Sequence, residues 1–132
     1  MPNNEKYRDY WLQSARADYE AMRVMYANKQ YHWALFIGHL LIEKVLKAIF
    51  VMGSDQPLPK IHDLSRLLEL CDIEIDEELR EKLDVITTFN INARYPDYKN
   101  RFYQTCTAEY TTQQVKHIEE IYAWLQSFLK LR

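Results

Sequence analysis

Tyr31-His32-Trp33-Ala34-Leu35-Phe36-Ile37-Gly38-His39-Leu40-Leu41-Ile42-Glu43-Lys44-Val45-Leu46-Lys47-Ala48-Ile49-Phe50-Val51-Met52 is the stretch on which the fold turns. Placed on a helical wheel at about 100° per residue, Ala34, Gly38, Leu41, Ile42, Val45, Leu46 and Ile49 make one broad apolar face. Opposite lies a stripe of His32, His39, Glu43 and Lys47, flanked by Phe36, Leu40, Phe50 and Val51. A helix that is apolar on nearly all sides is buried on nearly all sides. It is therefore either the central helix of a bundle or a helix whose second face a further chain covers. Left open, Phe36, Leu40, Phe50 and Val51 would make a large apolar patch. A homodimer through these four candidate interface residues is the expectation, with a central helix in a monomer as the alternative.

The flanking sequence also reads as helices. Gly53-Ser54-Asp55, then Pro57 and Pro59, stop this one. Before it, Trp11, Ala15, Tyr19, Met22 and Tyr26 recur at three- and four-residue steps, predicting a helix from about Glu5 to Asn28. After it, Asp63 is placed to cap a short helix from Leu64 to about Leu70. Asp76 is placed to cap a fourth, running through Leu79, Leu83 and Ile86 to near Phe89. Asn90 to Tyr110 has no clean period and contains Pro96, which reads as a long irregular connection. Thr111 with Gln114 forms a capping-box pattern that opens a last helix carrying Val115, Ile118, Ile121, Leu125 and Leu129 on one face. The expectation is an all-α, up-and-down bundle of four to five helices, one domain spanning residues 1–132, without repeat or linker.

Composition agrees. Two glycines and four prolines in 132 residues are too few for the turns of a sheet protein, and two glycines cannot make a Gly-rich phosphate cradle. Lys and Arg number 17 against 19 Asp and Glu, so the net charge of −2 excludes a uniformly basic coat but not a local basic patch. The polar start, Met1 to Lys6, lacks a signal peptide's apolar core. No apolar run approaches the ~20 residues of a membrane span. Cys71 and Cys106 have no metal or redox spacing and read as packing residues of a reduced, cytoplasmic protein.

Few residues carry recognisable chemistry. His39 with Glu43, and Glu43 with Lys47, are spaced i, i+4, which suits a metal pair, an acid–base couple or an ordinary helical ion-pair ladder. No His follows a Glu at the Glu-x-x-His spacing of metal bundles, so no metal or cofactor is expected. GxSxG and HExxH motifs are absent, and no catalytic residue is assigned. Eight acids between Glu69 and Asp84 read mainly as a solvated face and an acid-rich first helical turn. Ile91 to Tyr103 differs: Arg94, Lys99 and Arg101 mix with Tyr95, Tyr98, Phe102 and Tyr103 against the single acid Asp97. Cations beside aromatics suit phosphates and stacked bases. The same residues could instead pin the connection to the bundle, with Arg94 and Asp97 as a local ion pair.

Three elements in this order resemble the HEPN family (higher eukaryotes and prokaryotes nucleotide-binding domain): Glu43-Lys44-x-x-Lys47-Ala48, His62-Asp63-Leu64 and Arg94-Tyr95-Pro96-Asp97. The Trp11-to-Ala21 helix and the closing amphipathic helix extend the likeness from about Tyr10 to Leu129. The resemblance implies a helical bundle that commonly dimerises and is linked to nucleotides or RNA. It also implies a gene neighbourhood with a minimal nucleotidyltransferase, in toxin–antitoxin or defence systems. Many members are metal-independent ribonucleases with an Arg followed, after about four to six residues, by a His; here no His stands at that distance after any Arg. The expected function is therefore a non-catalytic domain that binds a nucleotide or RNA, or docks a nucleotidyltransferase partner. Its candidate binding residues are Glu43, Lys44, Lys47, His62, Arg94, Tyr95, Asp97, Lys99 and Arg101. The alternatives are a divergent ribonuclease using His62 or His117, and a pure protein-interaction module.

Overall fold

In the computed structural model, which describes residues 2–130, the chain begins as a helical hairpin: α1 (Pro2–Ala27) turns into α2 (Tyr31–Gly53). The turn is a Schellman closure, with the Gln30 amide donating to the Met25 carbonyl at 2.8 Å and the Lys29 amide to Tyr26 at 3.1 Å. Such a turn needs one left-handed residue, and Lys29 takes it, with φ at 62°. α3 (Leu64–Leu70) ends in the same way, with Asp72 at φ 58° and the Ile73 amide reaching back to Leu68. Glycine poverty is thus compatible with tight helix ends, because Lys and Asp occupy positions where glycine is usual.

The remaining helices are α4 (Glu77–Arg94), α5 (Pro96–Thr105) and α6 (Ala108–Lys130). The architecture is all-α, and the described residues contain no strand. α2 packs against every other helix, which is why its sequence is apolar nearly all round. Leu35, Leu41, Ile42, Leu46 and Ile49 are fully buried, each worth about 1.5–3 kcal/mol of apolar burial. Phe50, expected at an interface between chains, lies in this core at 6% exposure. α3, α4 and α5 of the same chain pack on α2 as well, while Phe36, Leu40 and Val51 of that face stay half-buried.

Gly38 marks the tightest packing. A Cβ there would sit 2.5 Å from Cδ1 of Ile118 on α6 and 3.2 Å from the sulfur of Met22 on α1. Both cysteines are buried, and burial pushes the Cys106 thiol up to about 12, far from a reactive thiolate. No described helix is long and apolar enough to cross a membrane.

Two boundaries depart from the sequence reading. The expected irregular stretch from Asn90 is helical: α4 continues to Arg94, and α5 follows after Tyr95 alone. Tyr95 is extended (φ −87°, ψ 131°), as a residue before proline must be, while Pro96 takes the first helical position, where a missing N–H costs nothing. α6 starts earlier than Thr111, because the Thr107 hydroxyl accepts from the Tyr110 amide at 3.1 Å. Thr111 and Gln114 lie inside its first turns, both buried. The other two caps match expectation: Asp63 accepts from the Arg66 amide at 3.2 Å, and Asp76 from the Leu79 amide at 2.8 Å.

Candidate functional site

Glu43 is the only carboxylate buried in the middle of α2, and it is held by three neighbours. One carboxylate oxygen accepts from Lys47 Nζ at 2.9 Å, one helical turn on. The other accepts from His62 Nδ1 at 2.7 Å, and His39 Nε2 lies 3.6 Å from it. Burial opposes ionisation of Glu43, but the hydrogen bonds from Lys47 and His62 and the charges of Lys47 and His39 outweigh it, holding its carboxyl below the usual range. The side chain is 5% exposed, whereas His62, at the end of the Ser54–His62 connection, is 58% exposed.

His39 locks that connection in place. Its Nε2 donates to the His62 carbonyl at 3.1 Å, which fixes the tautomer and leaves Nδ1 as a buried lone pair without a hydrogen-bond partner. Burial lowers its pKa against the pull of the His62 carbonyl and Glu43; the charge of Arg94 lowers it further.

A second group begins where Arg94 ends α4. Arg94 does not pair locally with Asp97: its Nε donates to the Asn90 carbonyl at 3.0 Å. Its guanidinium stands 5.9 Å from the Phe36 ring and 5.7 Å from Tyr95. One helical turn into α5, Lys99 Nζ lies 4.8 Å over Trp33, whose ring also meets Phe36 edge-on. Tyr103 leans on His32 at the start of α2. At the other end of the strip, Lys47 Nζ sits 5.0 Å over Trp11 of α1. Trp33, Phe36, Leu40, Glu43 and Lys47 follow one another at three- and four-residue steps, so cations and rings share one edge of α2.

The sequence-predicted residues therefore divide. Glu43, Lys47, His62, Arg94, Tyr95 and Lys99 fall along this edge. Lys44 does not, because its Nζ is 2.7 Å from Asp18 and ties α2 to α1. Arg101 faces elsewhere on α5, lining a small cleft of about 200 Å³ with Thr88, Asn92, Phe102 and Tyr110. Asp97 is exposed in the first turn of α5, where the helix dipole favours an acid. Among the interface candidates, Phe36 lies beneath Arg94, Leu40 is half-buried, and Val51 walls a cleft at the end of α2. His117 belongs to α6, with Lys82 and Glu78 from the opposite end of α4 acting on it. Sequence reasoning missed Trp11 and Trp33, although Trp33 lies one turn before Phe36 on the same edge.

No group of three or more His, Cys, Asp or Glu among the described residues is placed to hold a metal ion. What the edge offers is positive charge against flat apolar rings, an arrangement suited to phosphates with attached bases.

No curated protein matches the chain by sequence. By shape, it is similar to TT1696 from Thermus thermophilus, a crystal structure superposing with a TM-score of 0.76 at 21% identity, over 92% of this chain and 97% of that one. That likeness speaks to the fold. The sequence pattern of the HEPN domain matches residues 9–128, nearly the whole chain, and the chain belongs to the HEPN domain family.

Proposed function

We propose that this HEPN domain binds the phosphates of a nucleotide or an RNA end along the edge of α2, without cleaving the ligand. The observation that carries the reading is the seating of the exposed Lys99 and Arg94 over Trp33 and Phe36 on one helix edge. A ring fixes the cation's stem and leaves its N–H donors for an anion. Calorimetry with ATP, GTP and short single-stranded RNAs tests it. The expected result is binding that Arg94→Ala weakens; no binding at millimolar ligand overturns the reading.

The resemblance to HEPN proteins of toxin–antitoxin and defence systems adds two elements to the proposal. A nucleotidyltransferase-type partner would dock on the same exposed cations, and co-purification with a neighbour-encoded protein tests that. A homodimer would use Phe36 and Leu40, the half-buried members of the apolar set. Sedimentation at micromolar concentration tests it, a strict monomer being the opposing result.

One observation favours a second reading, a divergent metal-independent ribonuclease. The Glu43–His62 hydrogen bond of 2.7 Å fixes one imidazole nitrogen as a donor and leaves the other as an acceptor on an exposed ring. Cleavage of labelled RNA in EDTA that disappears in His62→Ala would support this reading. RNA left intact removes it.

A further inference from the structure

Beyond the cation-bearing edge, a broad concavity lies where α1 begins and α2 ends. It is a cleft of about 830 Å³, within the ~300–1,000 Å³ usual for ligand sites. Tyr7, Tyr10 and Trp11 line one side, at the three- and four-residue steps that put them on one face of α1. Pro57 and Leu58 line the other, and Ser54, Asp55 and Gln56 supply polar groups.

Three features point to the occupant. Tyr7 and Tyr10 are exposed at 55% and 61%, one turn apart, although aromatic rings this large gain most from being covered. Trp11 is held from two sides, edge-on by Tyr10 at 5.1 Å and by Lys47 Nζ at 5.0 Å. The far wall is the start of the connection that ends at His62 on Glu43, and the Trp11 ring, with Lys47 over it, is shared by the cleft and the charged edge. Flat rings with amide, hydroxyl and carboxylate groups around them suit a planar heteroaromatic base, which stacks on π faces and needs donors and acceptors at its rim.

We infer that the Tyr7–Tyr10–Trp11 cleft is a base-stacking site, which seats the unpaired base of a nucleotide or RNA end whose phosphates lie toward the cation-bearing edge of α2. The inference rests on the phosphate-binding reading above for the identity of the ligand. It specifies that ligand: single-stranded or mononucleotide, because only an unpaired, unstacked base has a free face to lay on these rings.

Tryptophan fluorescence with adenosine and inorganic tripolyphosphate tests it on the full chain. Adenosine, which carries no phosphate, should quench emission, and Trp11→Phe should abolish that signal. Tyr7→Ala with Tyr10→Ala should weaken ATP binding about tenfold or more, the scale of one lost base stack, and leave tripolyphosphate binding unchanged. Both tyrosines are more than half exposed, so an unchanged melting temperature checks that the double variant is folded. If tripolyphosphate binds but adenosine leaves Trp11 emission unchanged, the cleft assignment falls and the phosphate reading stands. If tripolyphosphate does not bind the wild type, the phosphate reading falls and takes the nucleotide identity of the ligand with it.

Discussion

Glu43 and Arg94 bear opposite charges along the same edge of α2, and they are held in opposite ways. Glu43 is 5% exposed and hydrogen-bonded to Lys47 and His62. Arg94 is exposed, with one nitrogen on a backbone carbonyl and its plane against Phe36 and Tyr95. The first arrangement directs its charges inward, joining α2 to the connection before α3. The second keeps its charge available. A charged residue at a helical edge is thus not a binding residue by virtue of its charge; what matters is how many of its hydrogen bonds the fold has already used.

The largest expected effect breaks the inward half. Glu43→Ala leaves a mostly buried Lys47 ammonium without its partner, and removing one member of a buried pair costs roughly 3–5 kcal/mol. Urea unfolding of the variant measures it; a loss below about 1 kcal/mol would show that Lys47 simply reaches water and that the cluster is not structural.

The outward half should respond in the opposite sense. Arg94→Ala combined with Lys99→Ala is expected to change stability by no more than about 0.5 kcal/mol, since exposed substitutions away from caps and core rarely do more. The same variant should weaken tripolyphosphate binding by about tenfold, or about 1.4 kcal/mol. If it unfolds the protein instead, the cations are clamps for α5 and the contrast with Glu43 disappears.

Between the two lies Asp63, next to His62 but committed to a cap. Asp63→Ala should cost ~1 kcal/mol, read from the urea midpoint, with ligand binding unaffected. A binding defect there would mean that α3 and His62 move together.

Acid provides the mildest probe. In the folded chain the pKa of His39 is lowered, chiefly by burial. Above the ordinary value of about 6.5 both folded and unfolded chains carry a neutral ring. Below it the unfolded chain binds a proton that the folded one resists, so stability is lost from about pH 6.5 downward until folded His39 itself titrates. His32 and His117, whose pKa values burial also lowers, act in the same direction. Glu43, with a lowered pKa, adds stability above the ordinary carboxylate range that disappears only at lower pH still. Urea midpoints should therefore fall between about pH 7.5 and pH 5.5, and less steeply in His39→Gln. An identical slope in the variant would remove His39 from this account.

The helical order, the Asp63 and Asp76 caps and the Glu43–Lys47 pair could all be read from the sequence, because each depends on neighbours within about one turn. α5 could not. Phe102 is its one buried residue, so no apolar period announces it, and Pro96 is equally a loop residue and a first helical residue. The Thr111–Gln114 pattern misled for a related reason, as Thr107 supplies the actual cap one turn earlier. At the site, the contacts that define its character join distant positions: His62 to Glu43, Lys47 to Trp11, Lys99 to Trp33. Nothing local encodes the path of the Ser54–His62 connection that brings the first of these about.

The elbow at Tyr95 has a kinetic consequence. With a single residue between α4 and α5, and that residue confined by Pro96, Arg94 and Lys99 sit on a stiff corner instead of a floppy tether. On the proposed phosphate-binding role, a ligand arriving there would have no segment to order, so association would avoid a folding step and its attendant entropy. Variants along this edge should then change residence time far more than arrival rate, and stopped-flow traces of binding should be single exponentials.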